Sequence, residues 1–77
     1  MTNSDIIWHM IEGKAREYYS APATNSQLIR DTMIELETLC EAYARIEHPG
    51  DLIPEFRAIY RNQALNYAEQ MQDKEAA

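Results

Sequence analysis

The stretch Leu28–Ile46, LIRDTMIELETLCEAYARI, keeps one helical period without a break for longer than any other part of the chain. Wound at about 100° per residue, it places Leu28, Ile29, Met33, Leu36, Leu39, Cys40, Tyr43, Ala44 and Ile46 on one side. Arg30, Asp31, Glu35, Glu37, Thr38, Glu41 and Arg45 fall on the other. This apolar side is wider than a coiled-coil seam, which uses only two positions of each heptad. A surface that broad needs two neighbours to cover it, so the stretch is expected to be the central helix of a small bundle. Ile34 breaks the pattern by landing among the charges.

Working toward the N-terminus, Ser20-Ala21-Pro22-Ala23-Thr24-Asn25 is a loop, because Pro22 lacks a backbone donor and biases Ala21 away from helical angles. Thr24, Asn25 and Ser26 can each cap the second helix, with Gln27 at capping-box distance from Thr24. A first helix over about 4–19 is announced by Thr2, with Asp5 three residues on. Its apolar side holds Ile7, Trp8, Ile11, Ala15 and Tyr18, and Ile6 and Met10 form a second, smaller patch outside it. Gly13 costs about 1 kcal/mol relative to alanine inside a helix, so it either admits a neighbour or is a weak point.

Toward the C-terminus the central helix spans about 26–47 and ends at His48-Pro49-Gly50-Asp51. Asp51 is a candidate cap for a third helix over about 52–71, with Pro54 in the first turn, where a missing amide costs nothing. Ile53, Phe56, Ile59, Tyr60, Ala64, Tyr67 and Met71 make its apolar side, with Arg57, Arg61 and Leu65 on the far side. Residues 72–77 are expected to fray. The short loop over 20–25 makes the first and second helices antiparallel neighbours. The fold class is therefore all-α: a small three-helix bundle with the second helix central, forming one domain over 1–77.

Seventy-seven residues leave little room for a deep pocket; a domain of this size has a stability on the order of 4 to 12 kcal/mol. Thirteen acidic against seven basic residues give a net charge of −6, which repels phosphate backbones and anionic membranes and favours basic or neutral partners. Cys40 is the one cysteine, so no intrachain disulfide is possible, and a cytoplasmic location is expected. No secretory leader, lipidation signal or membrane-spanning run is legible.

His9, His48 and Cys40 lie far apart without the close pairing of a zinc site. The carboxylate pairs Asp31/Glu35 and Glu37/Glu41 sit on the charged side of the second helix, where neither partner acquires the apolar surroundings of a catalytic acid. Neither a nucleophile elbow nor a glycine-rich phosphate loop occurs. The chain is accordingly read as non-enzymatic, with no catalytic, cofactor-binding or metal-ligating residue assigned and no cofactor.

The leading expectation is a protein–protein interaction module: an adaptor, co-chaperone or stoichiometric inhibitor, a regulatory class often encoded by phages and plasmids. Its partner is another protein or a second copy of itself as a homodimer. Ile6, Met10, Ile34 and Leu65 are apolar residues pointing away from the expected core, and Glu37 and Glu41 form an acidic ridge beside Ile34. Two alternatives stay open. The acidic face of the second helix could mimic a nucleic acid and block a DNA- or RNA-binding protein. The third helix, with Arg57, Arg61, Asn62, Asn66 and Gln70, could serve a small nucleic-acid-binding regulator.

Overall fold

The computed structural model describes residues 2–50 and 52–76, with side chains as far as Lys74. Its elements are three helices, α1 (Asn3–Ser20), α2 (Ser26–Glu47) and α3 (Ile53–Ala76). Every pair of helices packs together, which closes the three-helix bundle with α2 against both neighbours. Trp8 of α1, Tyr43 of α2 and Tyr60 of α3 meet at one end. The Gln72 side chain of α3 reaches the last turn of α1 at the other. The chain therefore runs up, down and up, with α1 and α3 parallel.

The helix ends follow local chemistry. Thr2 caps α1 through a reciprocal pair: the Asp5 amide donates to Thr2 Oγ1 at 3.2 Å and the Thr2 amide donates to Asp5 Oδ2 at 3.1 Å. Hydrogen bonding from the Thr2 amide, and then from its side chain, holds the Asp5 carboxyl below its ordinary pKa. Of the three possible caps for α2, Asn25 takes the role, its side chain accepting from the Leu28 amide at 3.1 Å. Gln27 bonds instead to Asp31 at 2.8 Å. The His48 amide closes α2 on the Ala44 carbonyl at 2.8 Å, and Gly50 turns the chain with φ 86°, a conformation L side chains rarely adopt. Asp51, the expected cap of α3, lies outside the described residues.

Instead of stopping near Met71, α3 remains helical to Ala76. Gln72, Asp73, Lys74 and Glu75 include no helix breaker. The Gln72 side-chain amide also donates to the Tyr19 carbonyl at 3.3 Å, tying this segment to the end of α1.

The core is Ile11, Ala15, Leu36, Cys40, Ala64 and Ala68, with Ile7, Trp8, Tyr19, Met33, Leu39, Tyr43, Tyr60 and Leu65 packed around it. The faces expected for α1 and α2 are the faces buried, except that Leu28 and Ile46, at the two ends of α2, are exposed. Thr32 and Ala44 are buried with the core side of α2.

The orientation of α3 differs from the sequence expectation. Ala64 and Ala68 point inward, whereas Ile59 and Tyr67 are 47% and 43% exposed. Leu65, placed on the far side by its periodicity, packs on the core. Arg61 and Arg57 turn toward α2, where Arg61 Nη1 lies 2.9 Å from Glu37 and Arg57 Nη1 lies 3.7 Å from Glu41. The helix is rotated by roughly 70° about its axis from the apolar side expected. Two physical causes favour this. Small alanines let helix backbones approach closely. Arginine stems cover apolar surface while their guanidinium groups stay at the rim beside carboxylates.

Gly13 resolves as a weak point: it is exposed, and nothing lies within 4 Å of where a Cβ would stand. Gly13→Ala is expected to stabilise the fold by about 0.5–1 kcal/mol, read as a higher urea midpoint at unchanged slope. A fall in the midpoint would mean that the position needs its glycine.

Candidate functional site at the α1/α2 groove

Met10 and Lys14 of α1 face Ile34, Glu35, Thr38 and Leu39 of α2 across a shallow groove of about 300 Å³. The pairing follows from helical spacing. Met10 and Lys14 lie four apart on one flank of α1, and Ile34 and Thr38 lie four apart on the facing flank of α2. Met10 is 52% and Ile34 56% exposed, and Ile6, one turn before Met10, is 46% exposed. The Thr38 hydroxyl donates to the Ile34 carbonyl at 2.9 Å, so this polar group is satisfied within its own helix.

Lys14 forms the polar rim. Its Nζ lies 2.8 Å from Glu35 across the helix pair and 3.0 Å from Glu17 on its own helix. The Glu35 carboxylate first, and Glu17 second, raise the lysine pKa above its ordinary value. The groove is thus an apolar trough with a neutralised edge.

The residues predicted to form a contact surface separate into three sets. Ile6, Met10 and Ile34 share the exposed surface of α1 and α2. Glu37 and Glu41 do not stand beside it as a free acidic ridge. Glu37 is bound to Arg61, and Glu41 lies between Arg57 at 3.7 Å and Arg45 at 3.9 Å. Leu65 is in neither place, being packed on the core. All three departures share one cause, the rotation of α3, which carries Arg57, Arg61 and Leu65 inward.

A second cavity, of about 620 Å³, opens at the end of the bundle where α1 begins and is lined by Asp5, Trp8, His9, Tyr43, Tyr60 and Gln63. Sequence reasoning does not assemble it, because the six residues come from three helices. The available signal was one aromatic residue near the corresponding end of each apolar face. Trp8 and Tyr43 have ring centroids 5.2 Å apart, Trp8 and Tyr60 6.1 Å, and Tyr43 and Tyr60 4.8 Å at an 84° interplanar angle. Such tilted and edge-to-face pairs are favoured aromatic geometries. Behind Tyr60, His48 hydrogen-bonds to the Tyr60 hydroxyl and stacks on Phe56, with centroids 3.8 Å apart.

The soft metal-ligand types remain dispersed. His9 lies 3.9 Å from Glu12, His48 is in the aromatic stack, and Cys40 is fully buried in the core. Among the described residues, no helix is long and apolar enough to cross a membrane. Comparison of the chain with protein-family models, with curated proteins and with solved structures finds no match in any of the three.

Proposed function

We propose that the protein is a non-enzymatic interaction module that docks another protein, or a second copy of itself, through the α1/α2 groove. The observation that carries this reading is the juxtaposition of Met10 and Ile34, two long apolar side chains each more than half exposed, on the walls of one apolar trough. Ile6 extends the same surface by one turn of α1. Fully burying an isoleucine side chain contributes about 1.5–3 kcal/mol, and roughly half of that remains to be gained at positions already about half buried, so two or three such anchors together form the energetic centre of a modest interface. Lys14 and Glu35 supply a polar rim that is already paired and leaves no isolated charge to desolvate.

The nucleic-acid readings draw less support. Glu35, Glu37 and Glu41 are paired with basic residues of the chain itself, which dilutes an acidic array meant to imitate phosphates. Arg57 and Arg61 face α2 carboxylates instead of forming a free basic patch on α3.

Ile34→Asp tests the proposal because the position is exposed and the fold is expected to survive the change. In sedimentation at micromolar concentration, a wild-type dimer should dissociate in the variant, with affinity lower by roughly 10- to 100-fold. If the wild type is monomeric, a defined protein captured from the native cytosol should be lost by the variant to the same extent. Unchanged assembly together with unchanged capture would remove the groove from the interface.

A further inference from the structure

The cavity at the opposite flank of α1 has a different chemistry from the groove. Three rings, one from each helix, form part of its wall and are held against one another at centroid separations of 4.8–6.1 Å. The remaining lining groups are a carboxylate, an imidazole and an amide, from Asp5, His9 and Gln63, with no lysine or arginine among them. The Asp5 carboxylate is held in place by the α1 capping box and is favoured in its charged form. Negative potential is also felt by the rings. Besides burial, which is the largest cause, Glu47 raises the pKa of both Tyr43 and Tyr60, and Asp5 acts in the same direction on Tyr43.

An anion would be repelled by Asp5, the one carboxylate in the lining. A purely apolar molecule would desolvate the Asp5 carboxylate without compensation. A compact organic cation satisfies both features, because its charge is attracted by the Asp5 carboxylate and by the face of a ring it lies over, while its alkyl surface packs on the aromatic wall. We propose that this cavity binds a quaternary ammonium group, with Trp8, Tyr43 and Tyr60 supplying the aromatic wall and Asp5 the counter-charge. The site is separate from the α1/α2 groove: Asp5, Trp8 and His9 lie on one flank of α1, and Ile6, Met10 and Lys14 lie on the other. It does not depend on the docking function proposed for that groove.

Trp8 is the only tryptophan, so its fluorescence reports on the cavity directly. Choline chloride added to the full chain should produce a saturable change in Trp8 emission with half-saturation on the order of 1 mM, beyond that of sodium chloride at equal ionic strength. Dimethylbutanol, the uncharged carbon isostere of choline, should bind roughly tenfold more weakly or not at all. Asp5→Asn retains an amide oxygen that can accept from the Thr2 amide, and it should weaken choline binding by about three- to tenfold with the helical circular dichroism unchanged. Tyr43→Leu should weaken it further by removing one ring. A trimethyl-lysine peptide run alongside separates the sources of the group: tighter binding assigns the cavity to a protein side chain, and equal or weaker binding to a free solute. A Trp8 response no different from that to sodium chloride, equal binding of the uncharged isostere, or full choline affinity in folded Asp5→Asn would each overturn the proposal.

Discussion

Leu36→Ala is expected to remove a third or more of the stability of the fold and to leave a substantial unfolded population in mild denaturant. Leu36 is completely buried at the centre of α2, within the cluster formed by Ile11, Cys40 and Ala64. Truncating a buried leucine costs about 2–5 kcal/mol, the lost transfer energy plus the cavity left behind. A domain of this length has on the order of 4 to 12 kcal/mol in total. The other members of its cluster include Ala15, Ala64 and Ala68, all of them small, so collapse around the void is limited and the upper half of the range is expected. Leu28→Ala, at a 43% exposed position on the same helix, should cost less than about 1 kcal/mol. A comparable loss at the two positions in urea denaturation would refute the core assignment.

Cys40 supplies an independent measure of the same loss. Its thiol is fully buried, and burial pushes its pKa up to about 11, so at neutral pH it is both shielded and protonated. Alkylation should therefore proceed through opening of the bundle. When reclosing is faster than labelling, Leu36→Ala should accelerate it by about tenfold for every 1.4 kcal/mol of stability lost. Labelling of the wild type at the rate of an unfolded peptide would show that Cys40 is not enclosed.

Ala64→Leu is expected to have the second-largest effect, costing about 1–3 kcal/mol through overpacking. Ala64 is completely buried where α3 meets the core residues Leu36 and Cys40. A larger side chain there must push α3 outward or leave its preferred rotamer, and movement of α3 also disturbs the Arg61–Glu37 pair at 2.9 Å. Ile59→Ala is the informative companion. Residues 59 and 64 share the apolar side that periodicity assigns to α3, yet Ile59 is 47% exposed. Its truncation should cost less than about 1 kcal/mol. If Ile59→Ala were the more damaging substitution, the orientation of α3 would have to return to the one that periodicity suggests.

Only part of the candidate site is encoded in local sequence patterning. Ile6, Met10 and Ile34 were legible because α1 and α2 segregate apolar from charged residues clearly enough that an apolar residue on the wrong side stands out. Their meeting across a groove was not legible, since it depends on the rotation of one helix against the other. The surroundings of Leu65, Glu37 and Glu41 were not legible, because all three depend on which way α3 faces. The aromatic cavity lay still further from reach: Trp8, Tyr43 and Tyr60 each read as ordinary core residues on separate helices, and only the bundle end assembles them.

The sequence by itself determined three helices, their loops and the cap of α1, along with the buried faces of α1 and α2. Each of these follows from interactions within a few residues or from a strong helical period, as in the Thr2–Asp5 capping box, the Pro22 break and the Leu36–Cys40–Ala44 stripe. Tertiary structure alone decided the face of α3. The apolar residues of that helix are spread around its circumference, so burying Ile59 and Tyr67 or burying Ala64 and Ala68 are competing local solutions. The choice goes to the face on which two alanines permit close approach, Arg57 and Arg61 find carboxylates on α2, and Gln72 reaches the Tyr19 carbonyl. Those interactions join residues distant in sequence, and no periodicity within α3 encodes them.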